Sequence, residues 1–150
     1  MQNGKTKYVW DLLNKIPDPE IPVISIVELG AVRDILFEND CCIISITPTY
    51  SGCPAIQTFE DDIKSSLIEN NITNFKIKKV YAPAWTTDWM SQETKEKLNK
   101  YGISPPSNNP ICPQCNSKNI NLISEFGATA CKSMHKCLDC LEPFEHFKCI

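Results

Sequence analysis

Two Cys-x-x-Cys pairs near the end of this 150-residue chain constrain its fold more than any other feature. A 21-residue spacer separates the two pairs, which is close to the spacing of a zinc ribbon. Two cysteines three positions apart on a tight turn direct both sulfurs to one point, and two such turns give a tetrahedral site with four sulfur ligands. The predicted zinc ligands are Cys112, Cys115, Cys137 and Cys140.

The segment 111–150 is too short to fold on apolar burial alone, whereas a structural zinc contributes about 10–16 kcal/mol of apparent binding free energy. Four thiolates leave no open coordination position, so the sequence predicts a structural and not a catalytic zinc. Cys131 is the main alternative ligand, and Cys149 is a second one. We interpret the two histidines of the chain, His135 and His146, as packing or surface residues.

The composition indicates an intracellular chain with little core to spare. Hydrophobic residues make up 42% of it and charged residues 22%, and its nine cysteines, an odd number, cannot all form disulfides. No stretch approaches the roughly 18 consecutive apolar residues of a membrane span, and the first residues lack the apolar run of a signal peptide. We therefore expect a cytoplasmic protein that does not bind a membrane.

The charges argue against a nucleic-acid partner. The chain has 15 basic and 18 acidic residues, a net charge of −3. Within 111–150 four lysines balance four acidic side chains, and a zinc bound by four thiolates would add a formal negative charge. We expect this module to contact another protein instead, through Phe144 and Phe147.

Upstream of the cysteine pairs, apolar periodicity and turn residues predict a mixed α/β (α+β) domain in the order α-β-β-α-β-α. The predicted division of the chain is a domain over 1–103, a linker over 104–110 and a zinc ribbon over 111–150. The predicted elements are a helix over Lys7–Ile16, a shaped loop up to Gly30, a hairpin of Val32–Phe37 and Cys41–Thr49 with a turn at Glu38-Asn39-Asp40, a helix that begins at Pro54, a strand over Phe75–Tyr81 and a helix over Ser91–Lys100 that Ser91 caps.

Cys53 lies between Gly52 and Pro54, at the predicted start of the main helix. The partial positive charge of a helix N-terminus stabilises a thiolate, which makes the sulfur a better nucleophile or soft-metal ligand. A buried structural thiol at a turn is an equally good interpretation from the residue chemistry alone.

Several motifs of the chain resemble those of known proteins. The motifs that lie between residues 7 and 100 are similar to the iron–sulfur assembly domain of the SufT-like type, and together with motifs near the C-terminus they resemble the PaaD family over nearly the full length. That family is encoded with the multicomponent oxygenase that epoxidises phenylacetyl-CoA. The motifs are Asp18-Pro19-Glu20-Ile21-Pro22, Glu28-Leu29-Gly30-Ala31-Val32-Arg33-Asp34, Thr47-x-Thr49 with Ser51-Gly52-Cys53-Pro54, Trp85-Thr86-Thr87-Asp88-Trp89-Met90, Glu125-Phe126-Gly127, Thr129-Ala130-Cys131-Lys132, Glu142-Pro143-Phe144 and Phe147-Lys148-Cys149-Ile150.

The resemblance implies an accessory role in which Cys53 is a transient ligand of an iron–sulfur cluster or of iron, on its way to a client protein. The implied client is one of two subunits, the di-iron oxygenase subunit or the iron–sulfur reductase subunit. One cysteine cannot complete a four-ligand cluster. The other ligands would therefore have to come from the second chain of a homodimer, from a client or from a small thiol. This copy has Ala82-Pro83-Ala84 where the family commonly has Asp-Pro-Pro.

Two loops contain further candidate residues, each with two interpretations. Asp18 and Glu20 are carboxylates that would assist metal transfer beside Cys53, or they form an ordinary turn. The second loop is the aromatic segment that begins at Trp85. Its residues are predicted to bind a partner, or its tryptophans close the core. The predicted partner-binding residues are Trp85, Thr86, Asp88 and Trp89.

Three other functions compete with metallocluster maturation. A non-catalytic subunit would stabilise the oxygenase through protein contacts alone, and Cys53→Ser would then leave client activity unchanged. A zinc-ribbon nucleic-acid binder is disfavoured by the balanced charges. A thiol enzyme is disfavoured because neither histidine belongs to the first domain, which leaves Cys53 without an imidazole base there.

Overall fold

The structure of the protein is a computed structural model that describes residues 2–49 and 55–149. The chain forms two compact units, Met1–Trp85 and Thr86–Ile150. The boundary between these compact units differs from the predicted domain boundaries, which were 1–103, 104–110 and 111–150. The predicted domains stay a prediction. No helix of the described ranges is long and apolar enough to span a membrane.

The first unit has a three-stranded sheet with helices before and between its strands. In the sheet, β1 pairs antiparallel with β2, and β2 pairs parallel with β3, so β2 is the central strand. The elements are α1 (Gln2–Leu13), α2 (Ile26–Leu29), β1 (Val32–Glu38), β2 (Cys41–Ile46), α3 (Ala55–Glu69) and β3 (Phe75–Lys79).

Local sequence explains the hairpin and the main helix of this unit. Asn39 and Asp40 adopt positive φ angles of 49° and 64°, as the tight turn between β1 and β2 requires, and Asn and Asp tolerate that region best after glycine. Along α3, Phe59, Ile63 and Leu67 recur every four residues and are buried. The predicted hairpin is therefore confirmed, although β2 ends at Ile46 and not at Thr49. The helix α3 is confirmed over Ala55–Glu69, and its predicted start at Pro54 lies outside the described residues.

The other elements of this unit differ from the prediction: β3 ends at Lys79 instead of Tyr81, and the first helix begins at Gln2 instead of Lys7. The first helix ends at Leu13, and the chain then leaves it through bonds from the amides of Lys15 and Ile16 to carbonyls three residues earlier. The predicted shaped loop includes the short helix α2, which Ser25 caps through a bond from the amide of Glu28. The side chain of Glu28 accepts in turn from the amide of Ser25, so the helix has a complete capping box.

The second unit begins with a 3₁₀ turn and a helix and ends in a four-stranded sheet of order β4-β7-β6-β5. The strand β6 is antiparallel to both β5 and β7, and β4 is parallel to β7. Ser91 caps α4 as predicted, because its hydroxyl accepts from the amide of Thr94. The elements are the 3₁₀ turn Thr87–Trp89, α4 (Gln92–Tyr101), β4 (Ile103–Ser104), β5 (Ile120–Ser124), β6 (Lys132–Cys137) and β7 (Pro143–Phe147).

Candidate functional site

Four thiols converge at one end of the ribbon sheet. The Sγ atoms of Cys112, Cys115, Cys137 and Cys140 all lie within 4.8 Å of one another. Cys112 Sγ lies 3.6 Å from Cys140 Sγ, and Cys115 Sγ lies 3.5 Å from Cys137 Sγ. A zinc–sulfur distance near 2.3 Å places the sulfurs of a tetrahedral site about 3.8 Å apart. The four side chains therefore fit one tetrahedral metal ion.

The backbone of each cysteine turn has the same conformation. The residue after the second cysteine lies in the left-handed region in both turns, with φ of 61° at Asn116 and 67° at Leu141. In each turn the amide of the first cysteine donates to a carbonyl across the loop, from Cys112 to Ser117 and from Cys137 to Glu142. Asn tolerates this region, whereas Leu adopts it at a cost of about 1–2 kcal/mol.

Replacing Leu141 with glycine is expected to stabilise the metal-loaded ribbon by about 1 kcal/mol, because glycine removes the left-handed strain. Leu141 is 62% exposed, so little packing is lost. Thermal unfolding of the metal-loaded chain measures the effect. The matched control is Leu138→Gly in the same turn, which has no positive φ to relieve and is expected to be neutral or destabilising. Equal stability changes for the two variants would contradict the strain assigned to Leu141.

The thiols of this site differ in acidity, because the pKa of Cys140 is raised to about 12 and that of Cys115 is also raised, whereas that of Cys137 is lowered. The amide of Cys140 donates to Sγ of Cys137 at 3.4 Å and lowers the pKa of the Cys137 thiol to about 6. The thiolate is the form that binds a metal. Asp139 ties the two turns together, since it accepts from the Ser117 hydroxyl and, at 3.3 Å, from Nδ2 of Asn119.

The core of the ribbon lies directly against the thiols. Cys112, Cys137 and Phe144 form one buried cluster, and Ile120 packs against it. Phe144 and Phe147 are only 4% and 1% exposed. The prediction that these two phenylalanines dock a partner is therefore wrong, because both rings are needed inside the module.

The two alternative zinc ligands lie outside the four-thiol group. Cys131 is buried, and its Sγ lies 2.9 Å from the Thr129 hydroxyl. Cys149 is exposed, and its Sγ accepts from the Thr87 hydroxyl at 3.8 Å. In the described part of the chain, these four thiols are the group in which three or more ligand atoms of His, Cys, Asp or Glu all lie within 4.8 Å of one another.

Asp18 has a structural place in the loop after α1. It is 3% exposed, and its Oδ2 accepts from the amides of Ile21 at 2.7 Å and Glu20 at 3.1 Å. These bonds are the turn-forming pattern of an aspartate, which was the second interpretation of this loop. Glu20 is half-buried beside it. The metal-transfer role predicted for both carboxylates stays a prediction.

Trp85 is part of the core of the first unit. Its side chain is 4% exposed, and its Nε1 donates to the carbonyl of Leu29 at 2.9 Å. Leu29 ends α2, and the next residue, Gly30, closes that helix in the left-handed conformation with φ of 88°. Two of the motifs that carry the resemblance, Glu28–Ala31 and the aromatic segment, thus meet at this bond.

The rest of the aromatic segment lies in the second unit. Asp88 is exposed, whereas Thr86 and Trp89 are half-buried. Thr86 caps the 3₁₀ turn through a bond from the amide of Asp88 at 3.3 Å. Partner binding by Trp85, Thr86, Asp88 and Trp89 stays a prediction, and the geometry fits it better at Asp88 and Trp89 than at the buried Trp85.

Cys53, the predicted transfer thiol, lies outside the described residues. The next described residue is Ala55, the first residue of α3, whose first turn has no acidic side chain.

Sequence reasoning missed two arrangements elsewhere: the Trp85–Leu29 bond, and a buried pair of histidines in the ribbon. The first residue pair is far apart in sequence, and the histidine pair depends on strand register, so neither has a local signal.

Comparison with known proteins accounts for both parts of the chain. Residues 6–71 match the family model described as "Iron-sulfur cluster assembly protein". Residues 101–148 match the model "PaaD zinc beta ribbon domain".

Individual relatives agree with these matches. An Escherichia coli (strain K12) protein, provisionally named as a subunit of 1,2-phenylacetyl-CoA epoxidase, is 45% identical over 95% of this chain and 92% of its own. The "Fe-S protein maturation auxiliary factor SufT" of Staphylococcus aureus (strain USA300) is 35% identical over 54% of this chain and 93% of its own.

A solved structure supports the fold of the first part. The crystal structure of a domain of unknown function, DUF59, from Bacillus anthracis has a TM-score of 0.60 and is 30% identical. It covers 65% of this chain and 93% of its own. From the full-length similarity and the two matched domains, the chain belongs to the PaaD family, in which an iron–sulfur cluster assembly domain precedes a zinc ribbon.

Proposed function

We propose that this protein is an accessory factor that delivers iron or an iron–sulfur cluster to a subunit of a phenylacetyl-CoA epoxidase, and that it does not itself catalyse the epoxidation. The observation that carries the proposal is the joining of the two matched domains in one chain. An iron–sulfur cluster assembly domain supplies the metal chemistry. The similarity to a protein named as an epoxidase subunit suggests which protein complex contains the client.

Cys53 is the proposed transfer ligand. It lies two positions before α3, a 15-residue helix with no acidic side chain in its first turn to offset the positive end of the helix dipole. That field favours the thiolate, the form that binds iron. Because one thiolate cannot hold a cluster alone, we propose that a second copy of the chain, a client or a small thiol supplies the other ligands.

The four-thiol site has a different proposed role. A metal surrounded by four thiolates has no open position, so we propose a structural zinc that stabilises the ribbon and is not transferred. The ribbon would then present its surface to the client. Exposed apolar side chains lie on this surface, namely Leu122, Ile123, Phe126, Leu138 and Leu141.

Anaerobic reconstitution with iron and sulfide tests the proposal. We expect the wild-type chain to gain cluster absorption and bound iron, and the Cys53→Ser chain to gain neither, while both keep one zinc. The matched control is Cys41→Ser, which removes a half-buried thiol of the same unit and is expected to behave like the wild type. Zinc alone in the wild-type chain after reconstitution would contradict the carrier role.

A non-catalytic assembly subunit is the second candidate. The exposed apolar surface of the ribbon favours it, because such a surface can hold a protein complex together without any transferred metal. The two candidates differ in one result: under the assembly role, Cys53→Ser leaves the activity of the client unchanged.

A further inference from the structure

The ribbon contains a buried pair of histidines on neighbouring strands. His135 lies on β6 and His146 on β7, where Ser133 is the residue opposite His146. The two side chains are only 8% and 5% exposed. Their ring centroids are 5.6 Å apart, with the rings perpendicular.

One nitrogen of each ring is held by a hydrogen bond, and the other has no partner in the described ranges. Nε2 of His135 lies 2.8 Å from the Ser133 hydroxyl. Backbone groups of Ser104 and Ser107 hydrogen-bond to the ring of His146. The Nδ1 atoms of both histidines are buried without a partner within residues 2–49 and 55–149. Imidazoles that bind a metal show this arrangement, since a second partner orients the nitrogen that does not ligate.

The histidines line an open cavity of about 430 Å³ that also has a thiol and a carboxylate on its walls. The thiol and the carboxylate are the exposed side chains of Cys149 and Glu125, and the positively charged Lys148 also lines the cavity. Imidazole nitrogen and thiolate together suit divalent first-row transition metals. Burial, together with the neighbouring His135, lowers the pKa of His146, a direction that favours the neutral, ligating form of the ring.

The spacing of the rings is compatible with one shared ion. With metal–nitrogen distances near 2 Å, two imidazoles on a tetrahedral ion have centroids about 5 Å apart. In the described part of the chain, however, three ligand atoms within 4.8 Å of one another occur at the four-thiol centre and not here. The histidine pair thus offers two fixed ligands, and the remaining positions are open to Cys149 and to groups from solvent or a client.

We propose that His135 and His146 bind a second divalent first-row metal ion through their Nδ1 atoms, with Cys149 as a third ligand drawn in when the ion is present. With two buried imidazole nitrogens and one recruited thiol, this site would leave a coordination position unfilled, unlike the four-thiol centre. The inference deepens the proposed function and rests on it for the role of the ion as transferable cargo. Binding itself is independent of Cys53.

Anaerobic titration of the zinc-loaded, full-length Cys53→Ser chain with Co²⁺ tests the second site. We expect one added cobalt per chain while the zinc is retained, and a thiolate-to-cobalt absorption band. The His146→Gln and His135→Gln variants are each expected to weaken cobalt binding at least about tenfold. Cys149→Ser is expected to remove the thiolate band. Lys136→Gln, an exposed position on β6, is the control and is expected to bind as the parent does.

Nuclear magnetic resonance of the ring protons gives a measurement without any histidine variant. The chain has two histidines in all, so both ring spin systems can be followed directly. We expect cobalt to shift or broaden both. Absence of an added cobalt, or unperturbed histidine signals in the cobalt-loaded chain, would overturn the inference.

The same experiments separate this inference from the proposed function. If cobalt binds only to chains that retain Cys53, the second site is rejected and the transfer role of Cys53 is supported. If the Cys53→Ser chain binds cobalt at the histidines while the wild-type chain gains no cluster with iron and sulfide, the second site stands and the cluster-carrier role fails.

Discussion

Replacing Cys137 with serine is expected to remove the metal from the ribbon and to unfold its sheet. Cys137 is fully buried, contacts the core cluster with Cys112 and Phe144, and is one of the four converging thiols. Structural zinc supplies about 10–16 kcal/mol to modules of this kind, which is comparable to or larger than the roughly 5–15 kcal/mol net stability of a whole domain. Metal analysis and amide hydrogen exchange measure the result. We expect zinc to fall from one per chain to nearly none and protection to disappear in β6 and β7.

The matched control for this prediction is Cys131→Ser. Cys131 is also buried, but its sulfur lies outside the four-thiol group. We expect this variant to keep its zinc and most of the protection in the sheet. Retention of one tightly bound zinc in the Cys137→Ser chain would show that the four-thiol assignment is wrong, and its loss from the Cys131→Ser chain would point to a different ligand set.

Replacing Trp85 with alanine is expected to destabilise the first unit by about 3–5 kcal/mol, the usual cost of removing a large buried aromatic side chain. The substitution also leaves the carbonyl of Leu29 without the indole donor. Hydrogen exchange in β1 and β2, together with urea unfolding followed by circular dichroism, measures the change. Trp85→Phe keeps most of the ring and loses the donor, so it should lie between the wild type and Trp85→Ala.

Asp88→Ala is the control for a surface role in the same motif. Asp88 is exposed, so we expect its stability to stay within about 0.5 kcal/mol of the wild type. If Trp85→Ala left the stability of the first unit unchanged and weakened only the binding of a client, Trp85 would be a recognition residue and not a core residue.

Sequence reasoning was most successful where the signal is local. The Cys-x-x-Cys turns, the Asn39-Asp40 turn of the hairpin and the cap of α4 at Ser91 each depend on a few adjacent residues, and the structure has all three arrangements. The short helix α2 also has a local signal, because Ser25 and Glu28 have the spacing of a capping box. The sequence prediction was nevertheless a loop, because Pro22 and Gly30 interrupt regular structure on either side of this segment.

The remaining features depend on contacts between distant residues. The indole of Trp85 meets the carbonyl of Leu29, 56 positions away in the sequence. His135 and His146 come together only in the observed register of β6 and β7, and a shift by one residue would place one of them on the opposite face. A single sequence does not specify such a register before the sheet is known.

The most direct test of the proposed maturation role is the metal content of the proposed clients. The oxygenase and reductase subunits of the epoxidase would be produced with the wild-type chain, with the Cys53→Ser chain, with the Cys41→Ser control and without any of them. We predict full iron occupancy and activity of a client only with the wild-type and Cys41→Ser chains, and the same deficit with Cys53→Ser as without the protein. Full occupancy with Cys53→Ser would contradict the account and leave a structural role in the complex.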